Sequence, residues 1–119
     1  MKYTMRLSET PFRQLKNGTK TIELRLNDEK RRRIKIGDTI QFINLEDKKD
    51  TLMTKVVDIY TFDSFADLYS VLPLEDLGYD ETEFSTASPK DMDKFYTPEE
   101  QSHYGVVGFR IELKKNKCI

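Results

Sequence analysis

The chain changes periodicity at Gly18. Upstream, Phe12 and Leu15 recur at helical spacing; downstream, Ile22, Leu24 and Leu26 alternate with Thr21, Glu23 and Arg25 at the period of a strand. Glycine adopts the left-handed conformation that closes a helix at little cost. The sequence therefore predicts a helix over about residues 9–17 and a strand over 20–26 directly after it. This junction is restrictive, because it fixes a strand with one apolar and one charged face against a helix end. It also gathers Lys20, Glu23 and Arg25 at one place. Strict alternation sets Lys20 opposite Glu23, unless Lys20 precedes the regular strand and its long stem bends around the junction.

Other segments follow the same logic. Tyr3, Met5 and Leu7 alternate with Lys2, Thr4 and Arg6, which reads as an opening strand over 2–7. Ser8 stands where a helix cap belongs and Pro11 near the first helical turn. Lys35-Ile36-Gly37-Asp38 reads as a turn out of a charged loop into a strand over 39–45. Residues 52–60 form another strand, whose Val56-Val57-Asp58 breaks alternation and signals a bulge or burial on both faces. Ser64 with Asp67 caps a helix carrying Phe65, Leu68 and Leu72, stopped by Pro73. Residues 74–97 form a long acidic connection in which Ser88-Pro89 opens a short helix through Met92, Phe95 and Tyr96; such a connection in a small domain often covers a site. Thr97-Pro98-Glu99-Glu100 starts a further helix that ends at Gly105, and a last strand over 106–113 carries Gly108 as a bulge or a close backbone approach. Only one helix separates strands near the N-terminus, so the regular βαβ rhythm is absent. The expected fold is α+β: a small curled sheet or barrel with short helices around one end.

A chain of 119 residues fits a single domain, expected over 1–113, with a frayed tail over 114–119. Cys118 has no partner, so no internal disulfide framework exists and a reducing, cytoplasmic setting is the simplest reading. No stretch approaches the ~18 apolar residues of a membrane span, and the N-terminus lacks an apolar export segment. With 20 Lys+Arg against 21 Asp+Glu, whole-molecule charge does not argue for nucleic acid. The run Lys30-Arg31-Arg32-Arg33-Ile34-Lys35 is either a solvated face or a phosphate-contacting rim. One cysteine and one histidine make no transition-metal constellation, and no cofactor is expected. His103, beside a helix end, reads as a dipole partner.

Gly18-x-Lys20-x-x-Glu23-x-Arg25 resembles the G-x-K-x-x-E-x-R signature of the ASCH domain, a branch of the PUA-like β-barrels. Lys35-x-Gly37-Asp38-x-Ile40-x-Phe42 looks like the strand entry that follows in that family. Phe95-Tyr96-Thr97-Pro98-Glu99-Glu100 and Tyr104-Gly105-Val106-Val107-Gly108-Phe109 resemble its C-terminal helix and strand. The resemblance covers nearly the whole chain and implies a PUA-like barrel whose cleft, between barrel and helices, receives RNA or a nucleotide. Small bacterial amidohydrolases of this type deacetylate acetylcytidine and pair the lysine at the position of Lys20 with a threonine three residues later and a distant glutamate. Here Glu23 stands in place of that threonine, and Thr21 lies one strand step away. A carboxylate does not substitute simply for a hydroxyl nucleophile.

Three readings of the charged set remain open. In a binding module, Arg25 offers a planar fork to phosphate or a base edge, Lys20 a mobile charge, and Glu23 orients them. Thr21 shares that face, Arg31, Arg32 and Arg33 add attraction at the rim, and Tyr96 or Tyr104 stacks on an unpaired base or else packs in the core. In a small hydrolase acting on RNA or a modified nucleoside, Lys20 and Glu23 exchange protons and Arg25 stabilises developing negative charge; some relatives of this type are credited with RNA cleavage. In the third, the charges are an ion-pair set that fixes the junction. A protein-docking role for the acidic residues 75–83 rests on charge alone.

Overall fold

The computed structural model describes residues 1–114. Five strands form one sheet in the order β1-β3-β4-β5-β2: β1 (Lys2–Leu7), β2 (Ile22–Leu26), β3 (Thr39–Asn44), β4 (Thr51–Phe62) and β5 (Val106–Leu113). Only β1 and β3 run parallel; the other pairs are antiparallel. The sheet curls until its two edge strands approach each other, and the Arg25 guanidinium on β2 donates through Nη2 to the Arg6 carbonyl on β1 at 3.0 Å. The result is a half-barrel with a seam between β1 and β2.

Alternation explains how the strands are buried. Met5 and Leu7 from β1, Ile40 and Phe42 from β3, Val56 from β4, and Val107, Phe109 and Ile111 from β5 fill the concave side, which α1 (Glu9–Asn17) closes with Phe12 and Leu15. The opposite face of β2 supplies Ile22, Leu24 and Leu26 to a second core with Phe65 and Leu68 of α3 (Phe65–Val71), together with Leu72 and Leu77. Gly108 lets these layers close. A Cβ there would lie 3.0 Å from Ile22 Cγ2 and 3.4 Å from Leu72 Cδ1, so the glycine marks a close approach. The bulge is in β4, where the register shifts between Val56 and Asp58.

The helix starts follow their caps. Ser64 Oγ accepts from the Asp67 N–H at 3.1 Å, and Thr97 and Glu100 form a reciprocal capping box at the start of α4 (Pro98–Tyr104). Ser8 occupies the cap position of α1, although its side chain caps nothing. Four expectations need adjusting. Residues 29–32 form a short helix, α2 (Glu29–Arg32), instead of a loop, because Asp28 Oδ1 accepts from the Arg31 N–H at 3.0 Å. The strand expected from residue 20 begins at Ile22, since Lys20 N–H bonds to Gln14 O and Thr21 N–H to Asp76 O, outside any ladder. The segment after Ser88 is a 3-10 helix, Pro89–Lys94, that stops before Phe95 and Tyr96. Lys114 is tied down rather than frayed, donating its N–H to Met53 O at 2.9 Å. The rest of the expected tail, with Cys118, lies outside the described residues.

Among the described residues no helix is long and apolar enough to cross a membrane.

Candidate functional site

Gly18 ends α1 at φ 84°. The turn that follows holds Lys20 ahead of β2, free of the strand's alternation, so its stem bends back toward the charged face. Lys20 Nζ lies 2.9 Å from Glu23 Oε1, and Arg25 Nε 2.8 Å from Glu23 Oε2. One carboxylate thus bridges two cations. All three side chains are nearly shielded from solvent: 11 % exposed for Lys20, 4 % for Glu23 and 13 % for Arg25. Burial alone pushes the Glu23 carboxyl up, but the two cations and their hydrogen bonds outweigh it and hold the group below its usual range. For Arg25, burial is the largest single influence and pulls down, but the charge and hydrogen bond of Glu23, with Tyr96 and Asp28, together outweigh it, so the guanidinium stays charged.

This triad forms the floor of a cavity of about 610 Å³ at the seam. Arg6, Lys20, Glu23 and Arg25 share its lining with Tyr69, Tyr79, Glu83, Asp91, Lys94, Phe95 and Tyr96. Tyr69 comes from α3, Tyr79 follows the left-handed Gly78 at the end of the 3-10 turn Leu74–Leu77, and Asp91 sits in the 3-10 helix Pro89–Lys94. The long connection is held against the barrel by Gln14 Nε2 donating to Gly78 O at 3.0 Å, and by Arg110 Nη2 on Asp76 Oδ2 at 3.1 Å. A shallower depression beside Pro98, Glu99, Ser102 and His103 contains no buried charge.

Lys20, Glu23 and Arg25 are therefore brought together, with Tyr96 facing them. The Tyr96 ring, half-buried, stacks on Phe65 with centroids 6.2 Å apart and planes at 20°. Burial raises its hydroxyl pKa. Other residues singled out from the sequence stand elsewhere. The Thr21 hydroxyl is buried without a hydrogen-bond partner and does not line the cavity. Arg31 pairs with Asp28 at 3.0 Å, and Arg32 donates to the carbonyls of Asn27 at 2.7 Å and Tyr104 at 3.2 Å. Arg33 is exposed away from the lining. Tyr104 packs on the second core, edge-on to His103. In the acidic stretch, Asp76 is spent on Arg110, and Asp80 and Glu83 brace a local turn from which Glu83 also reaches the cavity lining.

Sequence reasoning missed Arg6, Tyr69, Tyr79, Asp91 and Phe95 as lining residues. A signal existed for Asp91: Ser88-x-x-Asp91 is a capping box, in which both reciprocal hydrogen bonds form. That spacing fixes where the carboxylate sits, though not what it faces.

Comparison with known proteins supplies an independent view. The ASCH domain model matches residues 5–115. A crystal structure of hypothetical protein PH0355 is similar at 36% identity, covering 96% of this chain and 100% of that one, with a TM-score of 0.76. A solution NMR structure of protein PF0455 from Pyrococcus furiosus is similar at 35% identity, covering 98% of this chain and 100% of that one, with a TM-score of 0.70. No curated protein matches the chain.

Proposed function

Because this chain belongs to the ASCH domain family, we propose that its seam cavity binds a single unpaired nucleotide, whether free or within an RNA strand. One observation carries the reading: two cations share one buried carboxylate on the floor of a cavity walled by aromatic rings. The triad has a surplus positive charge. Its hydrogen bonds leave Arg25 Nη1 and two of the three Lys20 ammonium protons without a protein acceptor among the described residues. Those are donors suited to a phosphate or a base edge. Phe95 and Tyr96 give rings on which an unpaired base can stack. The volume falls within the ~300–1,000 Å³ typical of small-ligand sites.

The same geometry weighs against hydrolysis at this cluster. Both Glu23 oxygens are taken by cations and the carboxyl is held ionised, so it holds Lys20 and Arg25 in place rather than exchanging protons. Thr21 is no substitute nucleophile, since its hydroxyl lies off the cavity.

The test is a calorimetric titration of the full chain with nucleoside monophosphates and with a single-stranded RNA hexamer, each at low and high salt. Saturable binding is expected, about tenfold or more weaker for Arg25→Ala and unchanged for Arg33→Ala. A hexamer that binds no tighter than a monophosphate identifies the free nucleotide as the ligand; a steeper salt dependence for the hexamer identifies RNA. Wild type and Arg25→Ala binding alike, or no saturable binding, overturns the reading. Product that forms with wild type and not with Glu23→Gln replaces it with a hydrolase.

A further inference from the structure

Beyond the triad, the wall of the cavity contains a hydrogen-bonded chain whose direction is fixed by chemistry. Tyr79 Oη lies 2.7 Å from Asp91 Oδ2, and Tyr69 Oη lies 2.9 Å from Tyr79 Oη. A carboxylate only accepts, and a phenol has one proton to give. The Tyr79 proton is therefore committed to Asp91. It follows that Tyr69 donates its proton to Tyr79, because the reverse would require Tyr79 to donate twice. Asp91 is itself fixed, since its Oδ2 also accepts the Ser88 N–H at 3.1 Å within the capping box. The two rings are locked edge to face with centroids 6.0 Å apart. Tyr69 thus has no proton left to offer. Toward anything bound in the cavity that Tyr69 lines, its oxygen can only accept.

Resting on the nucleotide reading above, we infer that the Tyr69-Tyr79-Asp91 chain makes this cavity selective for nucleobases that carry an exocyclic amino group over those with a carbonyl at that position. The floor presents donors, from Lys20 and Arg25; on the wall, Tyr69 presents an acceptor. A ligand that satisfies both has its acceptor groups, such as phosphate, on the floor and a donor at the wall. Adenine and cytosine supply an amino donor where hypoxanthine and uracil supply an oxygen. An oxygen facing the Tyr69 lone pair is left unpaired in a confined site, and that mismatch sets the preference. Tyr69 and Tyr79 act as specificity determinants, with Asp91 a positioning residue that orients them.

The experiment titrates the full chain with two isosteric pairs, adenosine against inosine monophosphate and cytidine against uridine monophosphate. Wild type is expected to bind the amino member of each pair about five- to a hundredfold more tightly. In Tyr79→Phe the Tyr69 proton loses its acceptor and turns toward the cavity, so the ratio falls to about one or reverses, while binding of the carbonyl members persists or strengthens. In Tyr69→Phe the acceptor itself is gone and the ratio also falls. Thermal melts establish that each variant is folded; should one not fold, the other decides. Equal binding within each pair by wild type overturns this inference and leaves the nucleotide reading intact. A ratio that survives in the folded variants also overturns it. Failure of all four nucleotides to bind overturns both.

Discussion

The floor of the cavity comes from a short span of sequence, Lys20 to Arg25, where a helix stop and one strand bring three charges together. The wall that completes the lining is assembled from α3, from the residue after Gly78 and from a 3-10 helix, and its polar members are joined by a hydrogen-bonded chain of two hydroxyls and a carboxylate. The floor is tied to the sheet by the β2–β5 ladder and held by buried ion pairs. The wall has no ladder behind it; the second core, the Thr21 N–H to Asp76 O bond and two side-chain anchors hold it against the barrel. Charge gives the floor its strength and its pH sensitivity. In the wall, the position of a single proton determines which groups can bind there.

The largest expected effect comes from breaking the floor. Glu23→Ala leaves two nearly buried cations without their shared partner and is expected to cost about 3–5 kcal/mol in urea unfolding. Acid probes the same group. In the unfolded chain Glu23 takes up its proton near the ordinary 4.5, whereas in the fold it resists protonation to lower pH. Its stabilisation is therefore complete above the ordinary value and is lost as pH falls through the folded one. Melts across the acid range check this: Glu23→Gln should show a shallower acid limb than wild type, with Glu9 and Asp38, also shifted down, supplying the remainder.

The wall is expected to fail at the other end of the scale. Burial, then the hydrogen bonds with Tyr69 and Asp91, pushes the Tyr79 hydroxyl far above its ordinary 10.0. The unfolded chain releases this proton first, so stability is present below about pH 10 and declines above it. Tyr79→Phe should flatten that alkaline decline, and at neutral pH it should cost about 0.5–1.5 kcal/mol, well short of the floor mutation. Equal costs at the two sites would erase the distinction between the walls. The smallest effect belongs to Arg33→Ala, an exposed change off the cavity, expected to shift unfolding by less than about 0.5 kcal/mol.

The same contrast decides what could be read in advance. Gly18, the Ser64 and Thr97 caps and the alternation of Ile22, Leu24 and Leu26 act over a few residues, and each produced the element that its pattern implied. Lys20 shows where local rules run out. Alternation alone sets it opposite Glu23; the strand begins only at Ile22, so the exception applies and the side chain folds back onto the carboxylate. The wall was hidden for a different reason. Tyr69, Tyr79 and Asp91 belong to separate elements, and nothing in the spacing of their segments says that α3 and the Pro89–Lys94 turn will meet around one cavity with β2. The basic run left two readings open from its composition, and it took the folded neighbours to show Arg31 occupied by Asp28 and Arg32 by backbone carbonyls.

Returning to that seam, a half-barrel has two strands with an uncovered flank, and an uncovered flank is a template on which another chain can add a strand. Here β1 and β2 turn those flanks toward each other, and the guanidinium of Arg25 occupies the gap by holding the Arg6 carbonyl. The side chain that lines the cavity is thus also the one that bridges the two flanks, and the cavity's charge and the closure of the sheet meet in one residue.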